Sequence, residues 1–346
     1  MKKLSIICFL HLACSAAFAS LYDPFLPKNE HYVLEPTLGL VISFAGGIGD
    51  ETNAAIANNG KIWTNGGLSS EPVYEFAGWA TGCASYNPAG GITGSGTDYG
   101  ADAFTDPSKA FGRATGGDTF DVVVLGEDKD NPGSIVMTFD APIRNGDGYD
   151  FVVFENSLDN TFLELAFVEV STDGEHFVRF PNFYLGVSPV GSDIDAGDND
   201  PTLIYNLGSK YMIGYGNGYD LQELADSYDY ALAHWDAETS TALSTSVFSA
   251  DYISDLLENY QYLDLENVNY VKIVDIYGDG SVLDSAGNPI YDACPTHGTP
   301  GFDLSGIGVI NAGDVVPEPA DFALILGIVC AAYMFARRRS AGRRRD

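Results

Sequence analysis

The chain has 346 residues, 45% of them hydrophobic and 12% aromatic, which is enough for one large buried core, and its formal net charge is −31. Of 17 Lys and Arg, two lie in the first three residues and six in the last ten, where only one of 48 Asp and Glu is found, so the stretch between carries about −38. Such acidity disfavours nucleic acid and anionic membrane surfaces, leaves divalent cations, polycations and neutral glycans as partners, and in itself serves solubility in a crowded or salty exterior.

In chain order, Lys2 and Lys3 precede an apolar run over residues 4–13, and Ala17-Phe18-Ala19 is an A-x-A cleavage site before Ser20. This is the pattern of a secretory signal peptide over residues 1–19. A lipoprotein signal would use Cys14, but His11 stands where an aliphatic residue is needed. Cys8 and Cys14 leave with the signal peptide and Cys330 lies in a C-terminal apolar segment, so an exported body of residues 20–313 holds Cys83 and Cys294. In an oxidising compartment these two either pair or remain free thiols.

The body reads as one all-β domain. Residues 38–44 form a first strand, followed by a Gly- and Asn-rich stretch to Gly67 that offers loops. Residues 74–117 read as small, polar loops pinned by Trp79, Tyr86, Tyr99 and Phe111. Five short β-branched and aromatic runs follow, at 120–125, 134–139, 150–154, 164–170 and 176–180, each bounded by Gly, Asp, Asn or Pro. Ile135, Met137 and Phe139 share one face of their strand, and Ala166, Val168 and Val170 share one face of theirs. Asn145 to Gly148 and Thr172-Asp173-Gly174 supply turns, the second a hairpin signal. Residues 181–246 read mostly as loop with a short helix at 221–225; 251–260 reads as a second helix, and 268–276 and 306–310 return as strands. Strands that resume after a long excursion predict a β-sandwich of the jelly-roll type, with long loops and one or two short helices.

Three acidic clusters are candidate cation ligands: Asp147, Asp150 and Glu155; Asp193, Asp195, Asp198 and Asp200; and Asp275, Asp279 and Asp284. Carboxylates on Gly-rich loops suit calcium, a hard ion that takes six to eight oxygens. None of them fits an EF-hand, because a loop starting at Asp193 puts Asp198 where the glycine belongs. In so acidic a chain the same clusters also read as solvated loops. Two carboxylates could serve a polysaccharide hydrolase or lyase, but there is no HExxH, G-x-S-x-G, Walker loop or Cys/His metal spacing, and Gly47-Ile48-Gly49 lacks the third glycine of a dinucleotide fingerprint. His31, His176, His234 and His297 stand singly, and no catalytic residue emerges. Trp63, Trp79 and Trp235 could stack on sugar rings, which makes a carbohydrate-binding module the alternative.

The chain ends with Pro317-Glu318-Pro319, an uncharged apolar segment over 322–336, and Arg337, Arg338, Arg339 followed by Arg343, Arg344 and Arg345. As a helix that segment spans roughly 22 Å, short of a bilayer core of about 30 Å, and the arginines extend it by snorkelling and resist translocation. The two prolines stop the helix from running back into the body. Hinge, apolar segment and arginine cluster, over 314–346, resemble the PEP-CTERM sorting signal, which in bacteria is read by exosortase, a membrane protease-transpeptidase. Residues 151–156, 164–171, 271–275 with 278–280, and 284–292 also resemble a group of bacterial cell-surface proteins that often carry such tails. The resemblance implies export by the Sec route, a single-pass inner-membrane intermediate with a cytoplasmic C-terminus, and delivery to the cell surface or an exopolysaccharide matrix in a structural or adhesive role. The partners it implies are signal peptidase and exosortase, and it brings no catalytic residues with it.

Overall fold

A computed structural model describes residues 55–64, 67–95, 99–115, 120–157, 162–187, 189–191, 199 and 203–313. The signal peptide, the strand expected at 38–44, the acidic loop of Asp193, Asp195, Asp198 and Asp200, and the C-terminal segment with Pro317, Glu318, Pro319, Arg337, Arg338 and Arg339 lie outside those residues. The chain divides into two units, Met1–Gly313 and Asp314–Asp346, and the described residues lie in the first. Among the described residues no helix is long and apolar enough to cross a membrane.

The body is mostly β-sheet with a few short helices. Among the described residues, thirteen strands make two open sheets: Ala55–Ala57 (β1), Ile62–Thr64 (β2), Gly67–Leu68 (β3), Gly78–Trp79 (β4), Gly82–Asn87 (β5), Val123–Val124 (β6), Ser134–Ile143 (β7), Phe151–Glu155 (β8), Ala166–Ser171 (β9), Val178–Arg179 (β10), Tyr215–Tyr219 (β11), Val268–Asp275 (β12) and Asp303–Val309 (β13). The larger sheet runs β3, β2, β1, β11, β8, β13, β4, with β6 also on β13; the smaller runs β10, β9, β12, β7, β5. Ladders in both are antiparallel.

Strand β8 reads Phe-Val-Val-Phe without alternation because both of its faces are buried. Phe151 and Val153 join Ile135, Met137, Val168, Val170, Val271, Ile273, Ile307 and Val309 in one core shared by the two sheets. Val152 and Phe154 face the other way, under Tyr74, Phe76, Trp79 and Tyr149. The expected inward face of Ala166, Val168 and Val170 is observed, while Leu163, Leu165 and Phe167 form a second cluster on the outside of the smaller sheet.

The structure departs from expectation in the glycine-rich segments. Strand β11, Tyr-Gly-Asn-Gly-Tyr, lies in a stretch expected to be loop, yet it is hydrogen-bonded between β1 and β8. Its glycines let neighbours close in: a Cβ on Gly216 would meet the Val153 carbonyl at 2.7 Å, and one on Gly218 would meet the Tyr149 ring at 2.4 Å. Strand β5 likewise falls in an expected loop, pairing along the edge of β7. The first helix, α1, is Gln222–Ala233, longer than expected, and α2 is Ala250–Asn259, started by Ser249, whose hydroxyl accepts from the Tyr252 amide. The hairpin at Thr172-Asp173-Gly174 forms as expected, with Asp173 accepting from the Glu175 and His176 amides.

Candidate functional site

Because β8 and β13 are antiparallel, the last residue of one lies beside the first residues of the other. Glu155 pairs with Leu304 across a register shift, which sets it next to Asp303. In the smaller sheet the same logic sets Asp275, at the end of β12, opposite Ala166 at the start of β9, just after Glu164. The ends meet across the core: the Phe302 amide donates to Asp275 Oδ1 at 2.8 Å. Asp292 joins them by accepting from the amide of Leu165 and, at 2.6 Å, from that of Ala293. Five carboxylates, Glu155, Glu164, Asp275, Asp292 and Asp303, are thus gathered where both sheets end, each between 3% and 6% exposed.

Interior carboxylates need donors or opposite charge. Glu155 accepts from the Ser209 hydroxyl at 2.7 Å. Thr296 Oγ1 lies 3.3 Å from Glu164 Oε1 and 3.4 Å from Glu127 Oε2. Glu127 Oε2 also accepts from the Thr296 amide at 2.9 Å, which leaves the single hydroxyl proton for Glu164. Oδ2 of Asp275 and Oδ1 of Asp303 are buried with no hydrogen-bond partner. The charges acting most strongly on Glu164, Asp292 and Asp303 are other carboxylates of the same group. Burial first, and these neighbours second, raise all three well above the ordinary carboxylate range, and burial pushes Asp275 up to about 8.

The expected clusters are redistributed. Glu155 and Asp275, taken from different clusters in the sequence, belong to this group. Asp150 instead ties three segments together, accepting from the Gly146 amide, Asn311 Nδ2 and the Leu221 amide at 2.8, 2.8 and 2.7 Å. Asp147, its expected companion, is exposed. Asp279 pairs with Lys129 at 2.5 Å on the surface, which holds it down to about 2. Asp284 closes a turn, accepting from the Ala286, Asn288 and Tyr184 amides. These four are hydrogen-bonded, ion-paired or solvated at separate places. Among the described residues, no three His, Cys, Asp or Glu side chains are gathered tightly enough to hold a metal as they stand. Cys83 and Cys294 are both free thiols: Cys83 faces the Ser85 carbonyl at 3.2 Å, and burial pushes Cys294 up to about 12.

Glu164, Asp292 and Asp303 were not singled out from sequence because each looks isolated there. The signal that finds two of them is an acid at or just before the start of a strand, at Asp303 and Glu164, matching Glu155 and Asp275 at strand ends; Asp292 carries no such signal.

A second feature is a groove of about 560 Å³ on the outer side of the larger sheet, lined in part by Asn58, Tyr74, Glu75, Phe76, Trp79 and Arg113. Trp79 packs on Phe76 and Phe154, with ring centroids 4.7 and 5.5 Å away, and is half-buried. Trp235 packs against the shared core, and the side chain of Trp63 lies outside the described residues. Comparison with protein-family models finds no match, and comparison with curated proteins finds none either. The site is therefore read from its geometry alone.

Proposed function

We propose that the chain is an exported cell-surface or extracellular-matrix protein whose body, a β-sandwich of jelly-roll type, has a structural or adhesive role. In this reading signal peptidase removes residues 1–19, residues 322–336 hold the chain briefly in the inner membrane, and an exosortase processes it near Pro317-Glu318-Pro319. The observation that supports it is where the fold closes. The last strand, β13, is buried along its whole length, and the final described contact is the Gly313 amide on the Pro142 carbonyl at 2.8 Å, four residues before Pro317. A cut at the Pro-Glu-Pro would therefore sever no strand of the described body.

In an exosortase-bearing bacterium, the full chain should lose its tail and reach the cell surface. Glu318→Ala, tail intact, should stay in the inner membrane. Equal processing and equal surface delivery of both forms would overturn the assignment.

The groove beside Trp79 favours glycan binding as a second reading, since its aromatic wall and amide and guanidinium groups suit sugar rings and hydroxyls. Calorimetry of the full chain with a neutral exopolysaccharide should then give saturable heat that Arg113→Ala weakens. No heat from the parent chain would remove this reading without touching the first.

A further inference from the structure

We propose that Glu155, Glu164, Asp275 and Asp303 form a binding site for one calcium ion at the end of the body where both sheets terminate. The argument starts from two buried, unpartnered oxygens, Oδ2 of Asp275 and Oδ1 of Asp303, on residues only 3% exposed. An orphaned buried acceptor is costly, and two on neighbouring carboxylates compound the cost through repulsion. The backbone is wrapped closely around this point: Gly301, at φ +74, leaves room for no side chain, since a Cβ there would meet Asp275 Oδ1 and the Gly126 carbonyl, both at 2.6 Å.

Every ligand on offer is oxygen, and most are carboxylates. That excludes the nitrogen and sulfur preference of zinc and matches hard cations. Calcium is favoured over magnesium because the groups come from four separate strand ends in an irregular array, whereas magnesium demands near-ideal octahedral geometry and keeps its waters. A bound ion would give Oδ2 of Asp275 and Oδ1 of Asp303 the partner they lack. The site is independent of the sorting reading and of the groove beside Trp79.

The test is thermal unfolding of the full chain in detergent with EDTA, then with calcium alone, then with magnesium alone. Calcium at about a hundred times its dissociation constant should favour the native state about 100-fold, a rise of roughly 5 °C in midpoint. Magnesium should give much less. Asp303→Asn and Glu164→Gln should lose the calcium response while melting in EDTA no lower than the parent, because each removes a buried like charge; Asp147→Asn should keep the response. Should those variants fail to fold, calorimetry on the parent chain decides: one saturable calcium per chain supports the site. No saturable heat, or a calcium response that survives both Asp303→Asn and Glu164→Gln, overturns it.

Discussion

Asp150 offers the sharpest test of how the body is held together. Its carboxylate is fully buried and accepts from the amides of Gly146 and Leu221 and from the side chain of Asn311, fastening the turn before β8, the start of α1 and the end of β13 to one residue. Asp150→Ala leaves the Leu221 amide buried without an acceptor, at about 1–3 kcal/mol, and removes two partly exposed bonds at about 0.5–1.5 kcal/mol each. The expected loss is about 4 kcal/mol, a large share of the roughly 5–15 kcal/mol by which a domain is stable. Urea unfolding of the full chain in detergent, followed by tryptophan fluorescence, should show the midpoint falling with the slope unchanged. A loss below about 1 kcal/mol would refute the latch and mean that water satisfies the three donors.

The same residue predicts a pH dependence. Burial raises Asp150 to about 7 in the native state, against an unfolded value near 3.9, so the native state holds its proton more tightly. That contribution is complete below the unfolded value and is lost as pH rises through 7, at up to about 1.4 kcal/mol per pH unit. The stability difference between the parent and Asp150→Asn, which does not titrate, should therefore shrink between pH 5 and 7.5 in parallel urea titrations; a difference that grows would reverse the sign. Glu169 is buried against Arg179 at 2.7 Å and Lys272 at 2.9 Å; burial pushes it up, and the two cations bring it below the usual range. Glu169→Ala, by stranding both cations, should cost about 2–4 kcal/mol in chemical denaturation, reduced from the buried-pair value because the cations are about one-third exposed. Phe151, stacked on Tyr219 at 5.2 Å and edge-on to Phe180 at 5.8 Å, fills the shared core. Phe151→Ala should cost about 3–5 kcal/mol, visible as a lowered midpoint. Gly301→Ala, forced to positive φ against Asp275, should lower the melting midpoint more than Gly78→Ala, where a Cβ meets nothing within 4 Å.

The long apolar strands were legible because burial on one or both faces leaves its pattern in the residues: β7, β8, β9, β12 and β13 all fall on runs that read as strands. Strand β11 was not, since glycines chosen for close approach to Val153 and Tyr149 look locally like a loop. Strand β5, Gly-Cys-Ala-Ser-Tyr-Asn, lies at a sheet edge and is only partly buried, so it needs no apolar alternation. The candidate site was half legible. Carboxylate type and loop position pointed to Glu155 and Asp275, but proximity in sequence grouped them with Asp150, Asp279 and Asp284, which the fold spends on amides and on Lys129. Convergence depends on which strand ends meet, and antiparallel pairing between β8 and β13 and between β9 and β12 decides that.

The measurement that bears most directly on the acidic end is amide hydrogen exchange of the full chain with EDTA and with calcium. Calcium should slow exchange in residues 163–166, 276–277 and 301–304, the backbone that carries the carboxylates, and leave α1 and α2 unchanged. Identical exchange in both conditions, or protection confined to the exposed turn at Asp147, would contradict a cation site where the sheets end.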